Sequence, residues 1–226
     1  MSQEITPQQP PVTDVEIQRE KAAFEMLQRQ AQMFSSSSLV PKEFTGNIAN
    51  CAIGINIAKR LGADPFMVLQ NIDIIHGRPS FRATFLIAMV NASGRFEPLR
   101  FNMDGDEGKP TRSCVAWTIS KGDGARLEGP KITLDMAKAE GWSTKTGSKW
   151  LTMPELMLRY RAAAFFARLY APDITLGMMT AEELRDTTER DVTPPLATTS
   201  KLFASVPAIA EPAPVTEITE EGGKES

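Results

Sequence analysis

Apolar residues recur every three or four positions in several stretches of this chain, and turn residues bound each stretch. The best-defined run is 150–170. At about 100° per residue, Leu158, Ala162, Phe165, Phe166 and Leu169 share one face, which predicts a helix with that face in the core. Thr152-Met153-Pro154-Glu155 reads as its capping box, with Pro154 in the first turn, and Pro172-Asp173 ends the run. A second stripe lies beside the apolar one: Arg161, Ala164 and Arg168, with Tyr160 adjacent. The two arginines are seven apart and stack on one side, leaving a patch of bare helix that a polyanion can approach. The competing reading is the solvated edge of an amphipathic helix.

The same pattern divides the rest of the chain. Thr13-Asp14-Val15-Glu16 is a capping box that opens a helix through residue 34, with one narrow apolar stripe of Phe24, Leu27, Ala31 and Phe34. A stripe that narrow predicts docking on the core or on a neighbouring subunit, with Ser35–Ser38 as a flexible joint. A second helix is expected over 44–61, stopped by Gly62, and a short one from Asp64-Pro65. Ile72-Asp73-Ile74-Ile75 reads as a strand, His76-Gly77-Arg78-Pro79 as a tight turn, and 81–92 as a helix. Strands follow at 96–103 and 113–120, joined by a polar loop at 104–108, then a turn at 122–124 and a short helix ending near Gly141. Lys145–Lys149 is a basic loop. Thr180-Ala181-Glu182-Glu183 is a third capping box and opens a short acidic helix. Residues 1–12 and 192–226 lack a sustained period and read as disordered, leaving 35–191 as the core domain. The fold class expected is α+β, a small antiparallel sheet packed by helices.

Charge changes the picture once it is divided. The chain of 226 residues carries a net −3. Residues 192–226 hold two cations against five carboxylates, and residues 1–33 hold three against five. The segment 34–191 is left with 20 cations against 18 carboxylates. Within it, 145–170 carries Lys145, Lys149, Arg159, Arg161 and Arg168 against Glu155 alone. Cys51 and Cys114 sit in apolar company and read as core residues of a reducing compartment. No apolar run approaches a membrane span and no secretion signal opens the chain, which points to the cytoplasm.

Catalytic patterns are few. There is no Gly-x4-Gly-Lys-Ser/Thr loop, and a single histidine, His76, rules out mechanisms that need two. Asp104, Asp106 and Glu107 form the one dense acidic cluster, and their place at a hairpin tip reads as turn chemistry before metal binding. Asp73 is the one strand-borne carboxylate a nuclease would use. Arg78 and Arg82 are placed to face phosphate from the turn and the helix after it.

Two stretches together resemble the RecT/Red-beta family of phage single-strand DNA annealing recombinases. One is QNIDIIHGRPSFRATFLIAMVNASGRFEPLRF, 70–101; the other is LMLRYRAAAFFARLYAPDITLGMMTAEELRD, 156–186. The resemblance covers roughly 45–190. It implies a Rad52-like annealing core, ATP-independent binding of single-stranded DNA, and pairing of complementary strands. It also implies assembly into rings or helical filaments in the host bacterial cell, a partner exonuclease and no catalytic residue or cofactor, with Mg²⁺ dependence open. The cationic candidates for the DNA backbone are Arg161, Arg168, Arg159, Lys145, Lys149, Arg78 and Arg82. Arg161 and Arg168 are expected to be strongest, held rigidly by the helix. Tyr160, Trp142 and Trp150 are possible stacking groups, with Trp150 the more suited to the core. Two alternatives come from other classes: a metal-dependent nuclease built on Asp73 and 104–107, and a phage structural protein without DNA affinity.

Overall fold

The structure is a computed structural model and describes residues 13–187. The expected disordered segments 1–12 and 192–226 lie outside the described residues. Helix α1 (Asp14–Ser35) begins at its capping box: the Thr13 hydroxyl accepts from Glu16 N–H, and the Glu16 carboxylate accepts from Thr13 N–H at 2.9 Å. Only its second half docks. Ala31 and Ser35 are buried and Leu27 and Phe34 partly so, whereas Phe24 is exposed. The Ser35–Ser38 joint is corrected: Ser35 ends the helix inside the core, and its carbonyl accepts from Gly46 N–H at 2.8 Å.

Helix α2 (Ile48–Leu61) starts later than Phe44, because 41–46 form turns and the Asn47 side chain caps the helix. Gly62, at φ 62°, ends it in the left-handed region. Asp64 caps α3 (Pro65–Gln70). Strands β1 (Ile72–Ile75) and β2 (Arg78–Phe81) form an antiparallel hairpin. Its turn is His76-Gly77 alone, both at positive φ, the two-residue geometry that matches strand twist. Arg78 and Pro79 therefore belong to a strand and not to the turn, and α4 (Ala83–Ala92) begins only after Arg82.

A second antiparallel sheet contains β3 (Arg100–Asp104), β4 (Ser113–Ile119), β5 (Arg126–Glu128) and β6 (Ile132–Thr133). Strand β4 is central, with β3 on one side and β5 and β6 end to end on the other. Phe96, expected to open β3, makes an isolated bridge to Ser120 instead. Helices α5 (Leu134–Ala139), α6 (Lys149–Thr152), α7 (Pro154–Tyr170), α8 (Pro172–Thr175) and α9 (Ala181–Asp186) complete the described chain. The architecture is α+β, small antiparallel sheets packed by helices, and no described helix is long and apolar enough to cross a membrane.

Helix α7 packs on β4 and β6, and Leu158, Ala162 and Phe166 share one apolar cluster with Cys114 and Ala116. Gly129, between β5 and β6, allows the close approach: a Cβ there would lie 3.1 Å from the Phe166 Cβ. On the expected apolar face, Phe165 is partly buried and Leu169 is exposed; Ala163, Ala164 and Ala167 take their place in the core. A second cluster gathers the end of α1 with α2, α3 and the hairpin. Helix α4 belongs to both, with Phe85 in the second cluster, Leu86 and Val90 in the first, and Met89 touching each.

Candidate nucleic-acid interface

Pro154 divides the expected 150–170 helix. It lacks an amide hydrogen and disfavours helical geometry at Met153, which sits at φ −139°, so α6 stops and α7 starts anew. The Thr152 capping box does not form. Thr152 ends α6, Met153 takes the cap position without a side-chain bond, and Glu155 is engaged elsewhere. Arg112, just before β4, donates to both Glu155 oxygens at 2.8 Å and holds that carboxyl below its ordinary range.

The Arg161–Arg168 stripe is not an open face. Arg161 is 4% exposed. Its guanidinium donates to Asp186 Oδ2 and lies 3.8 Å from the Trp142 ring centroid. Trp150 Nε1–H donates to the same oxygen at 2.7 Å. Burial lowers the Arg161 pKa and raises that of Asp186, and the pair opposes both shifts by holding each charge against the other. Arg168 pairs with Glu183 and lies 4.6 Å from the Phe165 ring centroid, so about a third of it remains exposed. The second Glu183 oxygen completes the Thr180 capping box. Ala164, the expected bare patch, is buried. Helix α9 therefore covers this side of α7 with two matched carboxylates. Arg159 is half-buried and donates to Glu155 O, and Tyr160 is packed partly into the core. Trp142 and Trp150 are core residues.

The remaining sequence candidates gather around α9. Asp73 on β1 receives Arg82 on one oxygen and Arg185 on the other. Lys145 is not a loose point charge: its ammonium donates to the carbonyls of Arg185 and Thr187 at 2.9 and 2.7 Å, closing the end of α9. Lys145, Lys149 and Arg185 line one cleft of about 250 Å³, with Glu182 and Asp186 among its walls. Arg78 is exposed on the hairpin that carries Asp73. Among the described residues, Arg78, Arg82, Arg185, Lys145 and Lys149 thus form a cationic margin, with Asp73 paired to Arg82 and Arg185 and Glu182 in the wall of the cleft. Glu182 is itself engaged, accepting from Ala83 N–H at 3.0 Å.

Arg185 went unrecognised in the sequence because α9 reads there as acidic. Among the described residues no three His, Cys, Asp or Glu side chains are grouped to hold a metal ion. The nuclease carboxylates are also separated: Asp73 lies in the hairpin, and Asp104, at the end of β3, pairs with Lys131 at 3.1 Å. No family model matches the chain, no curated protein matches it, and no solved structure matches it.

Proposed function

We propose that this chain binds single-stranded DNA and anneals complementary strands without ATP, acting as an oligomer in the manner of the RecT/Red-beta proteins that its sequence resembles. The observation that carries the reading is the cationic margin around α9, where Arg82, Arg185 and Lys149 keep exposed head groups on one connected edge. Such an edge tracks phosphates and leaves base edges free for a second strand. Arg161 and Arg168 are reassigned from contact residues to residues that hold the margin in place.

The test is annealing of two complementary labelled oligonucleotides without ATP over a salt series, for the wild type and for Lys149→Ala with Arg82→Ala. For single strands the slope of log K against log salt is about −0.7 per neutralised phosphate, so the double variant should be shallower by roughly 1.4. Lys145 is left intact because its ammonium closes α9. A wild type that binds no DNA at low salt would sink the reading. The structural-protein alternative would then lead, and it has its own support: the first half of α1 leaves Val15, Ile17 and Phe24 uncovered, as a helix does that awaits another subunit.

A further inference from the structure

The sheet has one face that no described core covers. Along β4, Cys114, Ala116 and Thr118 are buried toward α7, while Val115, Trp117 and Ile119 point the other way. These three belong to neither apolar cluster. Register brings Arg100 and Glu128 beside Trp117, Asn102 beside Val115, and Arg126 beside Ile119, all of them exposed. An indole therefore stands among polar strand residues on an open surface.

Its setting is that of a held ring. Trp117 Nε1–H donates to Asn102 Oδ1 at 3.0 Å, which fixes the ring plane. The Arg126 guanidinium carbon lies 3.7 Å from the ring centroid, and Arg126 also pairs with Glu128 at 2.6 Å. Both Arg126 contacts are exposed, hence individually weak and displaceable. The Arg100 side chain, next to the ring on β3, has no hydrogen-bond or ion-pair partner among the described residues. An oriented aromatic face with one unspent cation beside it, and a second that can be released, is complementary to a base and its phosphates.

We propose that the Trp117 face of the sheet is a stacking platform for one base of single-stranded DNA. The base takes the place of Arg126 on the indole, and Arg100 and the released Arg126 turn to the flanking phosphates. The proposal rests on the single-stranded DNA reading above but names a surface separate from the α9 margin.

Tryptophan emission gives a direct test. Trp142 and Trp150 are 7% and 3% exposed, so a base quenches Trp117 alone. Oligo(dT) added to the wild type at low salt should quench part of the emission, and a blunt duplex of equal length should not. Trp117→Phe keeps a stacking ring; it should hold affinity within about threefold and lose the quenching. Trp117→Ala should weaken oligo(dT) binding by roughly 5- to 150-fold, the loss of one stacked base. Unaltered far-ultraviolet circular dichroism would confirm that both variants fold. Quenching that survives Trp117→Phe, equal quenching by duplex, or Trp117→Ala binding like the wild type would overturn the platform while the DNA reading stood. Quenching that grows with protein concentration without DNA would overturn it in favour of a second copy on this face. A wild type that binds no oligonucleotide would overturn the DNA reading itself, and the platform with it.

Discussion

Without its guanidinium, the Arg161 site would leave the Asp186 carboxylate largely buried at the wall of the Lys145 cleft, with the Trp150 N–H as its remaining direct donor. Arg161→Ala is expected to cost about 3–5 kcal/mol, the usual penalty for stranding one partner of a buried pair. A lowered urea midpoint would register it, and Lys149→Ala on the exposed margin should change the unfolding free energy by less than about 0.5 kcal/mol. Arg161→Lys should rescue little, since an ammonium does not lie flat against Trp142 as a guanidinium does. Helical periodicity put Arg161 and Arg168 correctly on one side of α7, but it had no means of showing what lay opposite. Their carboxylate partners come 25 and 15 residues later in the chain, and a buried, charge-matched stripe has the same sequence pattern as a solvated one.

Helix starts were legible where the capping glutamate keeps an oxygen for the cap, as Glu183 does while giving its other oxygen to Arg168 and as Glu155, with both oxygens on Arg112, does not. Thr13 with Glu16 and Thr180 with Glu183 both close as capping boxes. Thr152 with Glu155 fails because a long-range ligand, Arg112, takes the carboxylate and Pro154 breaks the chain before it. This exchange ties the first turn of α7 to the start of β4, and it gives the joint a pH dependence. Arg112 depresses the folded Glu155 pKa below the ordinary 4.5. The stabilisation is therefore complete above the unfolded value and is lost as pH falls through the folded one. Glu155→Gln should lower the thermal midpoint at neutral pH and flatten its decline in acid, measured between about pH 2 and pH 7. The β1–β2 hairpin was half legible. The turn glycine was plain, but Arg78-Pro79-Ser80-Phe81 lacks strand composition, and pairing with Ile72–Ile75 imposes the extended form.

Helix α4 lends one face to each apolar cluster and, with α9, ties the helical half around α2 to the sheet half around β4. The α+β class and the order of elements followed from hydrophobic period. The division into two clusters did not, because it depends on which side chains of α4 meet which neighbours and not on their spacing. Each cluster also contains one cysteine. Cys51 lies in the α2 cluster and Cys114 in the β4 cluster, both at 0% exposure. Burial raises both thiols, Cys114 to about 11, so the closed protein offers no thiolate to a reagent. The chain thus carries its own pair of chemical clocks, one per half. If α4 makes the halves open as one, a thiol reagent should consume both cysteines at a single rate; a faster Cys51 would mean that the helical half opens by itself.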